Sequence, residues 1–305
     1  MKPIISERKQ RIVSIAITVA ASFLGFEALS LALRLYQLQV FALMAVVIYG
    51  FHFFWLTFIF DLHLKQRGNL AAGRLLNLKG LRLFFHALKN RLAHLTRWDY
   101  FRHYANYLIL PGLLYWSTVV ILMLNPFRVP LKQTVIAFST ASLVFAYMYF
   151  KRVFDKRMEH HEGGLKVLSL AKLYCAYLCL SAAFGLTVYF GLDGNFLVLG
   201  LGLATFLLIY QALFQHDLIN LLTLGMIFAI ALAVALTGVV VYSIWDTNYF
   251  SAGLLLCAVY NLGWGLLHHF SDRNLTARIF WEYTFMSLLL ITMILVTHDF
   301  RIRIG

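Results

Sequence analysis

The chain predicts an all-α, polytopic transmembrane helix bundle of about nine spanning helices, with its N-terminus in the cytoplasm. Three observations carry that reading. Of the 305 residues, 61% are hydrophobic and only 13% are charged, with a mean hydropathy of +0.77. Soluble domains average about 25% charged residues, so a water-soluble globule could not cover its surface with this composition. Nine apolar stretches each approach the roughly 20 residues that a bilayer core requires. Finally, 21 of the 26 Lys and Arg residues fall on one side of the implied membrane, most of them in every second gap between those stretches. Charged side chains are costly in hydrocarbon, and a Lys/Arg excess in short loops marks the cytoplasmic face. Nine of the eleven histidines share that side.

The elements follow in order. A basic start (Lys2, Arg8, Lys9, Arg11) precedes an apolar run over 12–36. That run is too long for the hydrophobic region of a signal peptide, so it reads as a retained first helix. Further spans are predicted over 39–62, 104–125, 131–150, 167–190, 196–214, 221–244, 249–269 and 280–297. Residues 63–103, 151–166, 215–220 and 270–279 then face the cytoplasm. Aromatic residues gather near the span ends, at Trp98, Tyr100, Trp245, Tyr249, Trp281 and Tyr283, where amphipathic rings favour the headgroup level. No soluble domain or Ser/Gly-rich linker interrupts the pattern, which predicts one integral membrane domain over 1–305.

The long cytoplasmic loop 63–103 carries its own helical pattern. Leu81, Phe84, Phe85, Leu88, Leu92 and Leu95 would form one apolar stripe, with Arg82, His86, Lys89 and Arg97 on the other side. Such a basic amphipathic helix belongs in the membrane interface, as a topology anchor, a lid, or a surface for a protein partner. Pro111 predicts a kink in the third span, because proline removes a backbone bond inside a helix. Gly200, Gly202, Gly263 and Gly265 thin two other spans so that neighbours can approach closely.

The net charge of +13 does not point to nucleic acid. The basic residues border apolar spans, where they meet anionic lipid headgroups, and no nucleic-acid motif accompanies them. Cys175, Cys179 and Cys257 all lie inside spans and read as small packing residues. Walker loops, dinucleotide fingerprints and nucleophile elbows are absent from the sequence. Lys172, the deepest lysine, is expected to snorkel to the inner boundary.

Two constellations are candidates for chemistry. Glu27 and His52 sit near the middle of the first and second spans, and the cost of inserting ionisable groups makes both functional candidates. A short outer turn makes these spans antiparallel neighbours, and an axial offset of roughly 7 Å would allow contact if their faces match. The second constellation lies at the cytoplasmic helix ends: His63, His103, His216, His268, His269 and Asp272. Imidazole and carboxylate together suit iron or another transition metal. His268 and Asp272 are one turn apart. The sequence lacks H-E-x-x-H and a complete set of the HxxxH and HxxHH boxes of membrane desaturases. Over its one short segment, His268-x-x-x-Asp272 resembles the helix-borne His/Asp content of membrane-bound carotene-cleaving dioxygenases.

Three functions follow. The first is a membrane-embedded, metal-dependent enzyme acting on a lipid or isoprenoid substrate at the cytoplasmic face. The second is a proton-coupled transporter or channel using Glu27 and His52. The third is a non-catalytic membrane subunit or assembly factor whose partner binds loop 63–103. The charge pattern places the chain in a membrane with the positive loops inside, and the bacterial cytoplasmic membrane is the expected location.

Overall fold

In the computed structural model, every long apolar run of the sequence is a helix. The structure describes residues 3–35, 37–59, 98–124, 129–154, 162–215, 218–244 and 248–297. Among them are α1 (Pro3–Leu35), α2 (Leu38–Ile59), α3 (Trp98–Leu124), α4 (Val129–Phe154) and α5 (Glu162–Phe190). Then come α6 (Gly194–Gln215), α7 (Leu221–Ile244), α8 (Tyr249–Ser271) and α9 (Ala277–Thr297). No strand occurs among the described residues. Seven of the helices are long and apolar enough to cross a membrane, and α2 and α3 carry shorter apolar stretches over Leu38–His52 and Leu108–Leu124. The chain is an all-helical, multi-pass membrane protein. The predicted interfacial helix between the second and third spans lies outside the described residues.

Local sequence explains the helix ends that are well defined. Asn220 caps α7 through a reciprocal pair: Thr223 N–H donates to Asn220 Oδ1 and Asn220 N–H donates to Thr223 Oγ1, both at 2.8 Å. This satisfies two backbone donors that the first turn would otherwise leave open. Asn248 caps α8 by accepting from Phe250 and Ser251 N–H. At its other end, α8 closes with Arg273 N–H donating to Phe270 O and Asn274 N–H to His269 O. That bond pair is the Schellman arrangement, and it requires a left-handed residue after the cap. Arg273 fills the position with φ 57° where glycine is the usual choice.

The chain groups into two compact units, residues 1–111 with 127–168 and residues 112–126 with 169–305. The boundary in α3 falls at Pro111, and the helix runs through it. In the first unit, α1 packs against both α2 and α4. In the second, α6, α7, α8 and α9 pack as successive hairpins. Small residues let these helices close up. Ser181 of α5 lies so near Gly253 of α8 that an added Cβ would fall 2.8 Å from its Cα and closer still to its Oγ. Gly238 of α7 receives Leu201 of α6 in the same manner. The predicted thinning glycines of α8 accept side chains: Ile230 fills the space at Gly263, and the Tyr283 ring lies over Gly265.

Candidate functional site

Each unit holds buried polar groups, and their surroundings differ. In the first unit Glu27 of α1 turns toward α4, where it accepts a hydrogen bond from Gln133 Nε2 and pairs with Lys132 Nζ at 3.8 Å. His52 of α2 is buried against α1 at Gly25, where an added Cβ would lie 3.6 Å from His52 Nε2. Gly25 and Glu27 are two residues apart, which is about 200° around a helix. The two sequence candidates therefore lie on different sides of α1, and their faces do not match. Glu27 finds its partners on α4, a helix that sequence proximity does not bring to it.

The second unit gathers a different set at the end predicted to face the cytoplasm. Asp272 and His268 sit one turn apart at the end of α8, with His268 Nε2 3.6 Å from Asp272 Oδ2. That separation suits an ion pair when the imidazole is protonated and is too long for a good direct hydrogen bond. Trp264 stacks on the His268 ring from the preceding turn, with centroids 5.3 Å apart and planes 13° apart. The stacking fixes how the imidazole is presented. Lys172 of α5 lies within electrostatic reach of the same imidazole. Its residue exposure is only 8%.

His269 points elsewhere. Its Nδ1 donates to Asn274 Oδ1 at 2.8 Å, and its ring meets the Tyr283 ring edge-on at 5.6 Å. The Schellman turn supplies that geometry by folding Asn274 back beside the last helical turn. Consecutive histidines on a helix diverge by about 100°, so His268 and His269 serve different neighbours.

These positions bear on the predicted metal site. Among the described residues no three His, Cys, Asp or Glu side chains converge to hold an ion. Of the six sequence candidates, His63 and His216 lie outside the described residues, and the side chain of His103 does too. The described remainder, His268, His269 and Asp272, supplies one pair and one divergent ring. The cysteines are packing residues as expected: Cys175 and Cys179 lie 3.9 Å apart within α5, and Cys257 Sγ contacts Leu173 O at 3.8 Å.

Gln211 of α6 belongs to neither constellation, and the sequence marks it only as a polar partner elsewhere in the bundle. It is fully buried, and neither Oε1 nor Nε2 has a hydrogen-bond partner among the described residues. A buried amide left in that state costs about 1–3 kcal/mol. Its signal in the sequence is the one carboxamide inside the apolar span 196–214. No family model, no curated protein and no solved structure matches the chain.

Proposed function

We propose that the chain is a proton-coupled membrane carrier in which Asp272, His268 and Lys172 pass protons between the predicted cytoplasmic face and the interior of the second unit. One observation carries this reading: the three groups form a burial gradient. The side chain of Asp272 is 38% exposed and that of His268 is 33% exposed, while Lys172 is 8% exposed as a residue. Imidazole both accepts and donates protons near neutral pH, which suits it to the middle position. Ionisable groups held inside a membrane bundle mark ion and proton pathways because their insertion is expensive. The location proposed for the carrier is a bacterial cytoplasmic membrane, with the Asp272 end inside.

The reading moves the relay away from Glu27 and His52. Glu27 has both an ion-pair partner and a hydrogen-bond donor, so its role is to hold α1 on α4. The metal-dependent lipid enzyme depends on ligands that lie outside the described residues, as does the partner surface of loop 63–103. No described geometry favours either over the carrier.

The test is proton flux. Purified protein in phosphatidylcholine liposomes with a trapped pH dye should pass protons under a valinomycin-clamped potassium potential. Lys172→Met and His268→Ala should each slow the flux by about tenfold or more, the usual scale for loss of a positioned proton-transfer group. Wild-type protein that passes no more protons than empty liposomes would rule out the relay.

A further inference from the structure

Small side chains that only fill space need not gather, yet all three cysteines of the chain collect around one phenol. Cys175 and Cys179 lie one turn apart on α5, with their sulfurs 3.9 Å from each other. Cys257 arrives from α8, and its thiol donates to Leu173 O at 3.8 Å, two residues before Cys175. Cys179 also reaches across to α3, donating to Leu113 O at 3.7 Å. Tyr260, one turn along α8 from Cys257, lies within electrostatic reach of all three thiols. The cysteines are in no disulfide, and they are buried, as is Tyr260. The proton relay uses none of these groups.

Two buried thiols side by side select a ligand by its softness and by the number of partners it needs. Structural zinc takes four ligands in a tetrahedron. Among the described residues no three His, Cys, Asp or Glu side chains converge to hold an ion, which leaves Cys175 and Cys179 as a pair. Hard cations take oxygen ligands and keep waters, whereas Cys175 is 0% exposed and Cys179 5%. Soft thiolates select copper(I), which two sulfurs on opposite sides can satisfy. Metal–thiolate bonds are about 2.3 Å long, so an ion between two sulfurs spans at most about 4.6 Å. The observed 3.9 Å needs only a bent arrangement or small rotations about the two Cα–Cβ bonds. A disulfide would require the sulfurs to close to about 2.05 Å, a larger movement. We infer that Cys175 and Cys179 form a buried two-coordinate binding site for copper(I). Binding replaces two S–H bonds with two S–Cu bonds, releases two protons to the aqueous buffer and leaves copper in its starting oxidation state. The complex carries one negative charge. Lys172 stands one turn before Cys175 on the same helix, and its charge acts there through space without giving up its interaction with His268.

The full chain in phosphatidylcholine nanodiscs is titrated anaerobically with copper(I) against bathocuproine disulfonate as a competing chelator. One copper(I) per chain is expected. X-ray absorption of the copper-loaded wild-type protein should show two sulfur ligands, a readout that needs no variant to fold. Cys175→Ser and Cys179→Ser should each weaken binding about a hundredfold or more, because losing a partner beyond the ligands already costs about 10–100-fold. Cys257→Ser should keep one copper per chain, at an affinity within about tenfold of wild type. Wild-type protein that retains no copper(I), three or more sulfurs around the ion, or nitrogen and oxygen ligands in place of sulfur would overturn the site. So would a loss of binding in Cys257→Ser equal to that in Cys179→Ser. The site does not rest on the proton relay. Protein that binds copper(I) without passing protons keeps the site and loses the relay, and protein that passes protons without binding copper(I) loses the site alone.

Discussion

Two polar side chains, one in each unit, are treated in opposite ways. In the first, Glu27 meets a lysine and an amide donor from α4, and the polar group helps to hold two helices together. In the second, Gln211 is buried with neither end of its amide partnered among the described residues. Loose packing does not account for the difference, because the second unit also contains the tightest helix approaches among its glycines. Nor does an inability to satisfy polar atoms, since the same unit builds a reciprocal cap at Asn220 and Thr223. A polar group that is satisfied serves the fold. One that is left open in a well-packed bundle stores a cost that ligand binding can offset.

Several substitutions would break or sharpen that contrast. The largest effect is expected at Gly253, where a methyl would collide with the backbone of Ser181. Gly253→Ala should cost on the order of 3 kcal/mol by overpacking, measured by reversible unfolding in mixed micelles. A neutral result would mean that the second unit is loose after all. Glu27→Leu should cost about 2 kcal/mol in the same assay, by stranding Lys132 and Gln133, and should leave proton flux intact. Lost flux with unchanged stability would return the relay to the first unit. Asn220→Ala should cost about 1 kcal/mol through loss of the α7 cap. Arg273→Gly has the smallest expected effect, a gain of about 0.5 kcal/mol from relief of the left-handed backbone at the end of α8. A loss there would show that the arginine side chain contributes more than the strain it imposes.

How far these features can be read in advance depends on their range along the chain. Helix positions are legible because hydrocarbon-length apolar runs leave little choice, and the run over 221–244 matches α7 (Leu221–Ile244) at both ends. The His268 and Asp272 pair is legible because one helical turn decides it. Partners across the bundle are not. Chain neighbourhood pairs Glu27 with His52, whereas packing of α1 on α4 brings it Lys132 and Gln133. For Gln211 the sequence gives a carboxamide inside an apolar span, and only the packed bundle shows that it is buried with neither amide atom partnered among the described residues.

The contrast between the units has a direct test in two apolar replacements measured side by side. Glu27→Leu and Gln211→Leu each remove one polar side chain from a membrane helix. Reversible unfolding of the ligand-free protein in phosphatidylcholine-based mixed micelles should give opposite signs. Glu27→Leu should destabilise, and Gln211→Leu should stabilise by about 1 kcal/mol because an unpaired buried amide is removed. Destabilisation by Gln211→Leu comparable to that of Glu27→Leu would contradict the account, because Gln211 would then be holding the fold together.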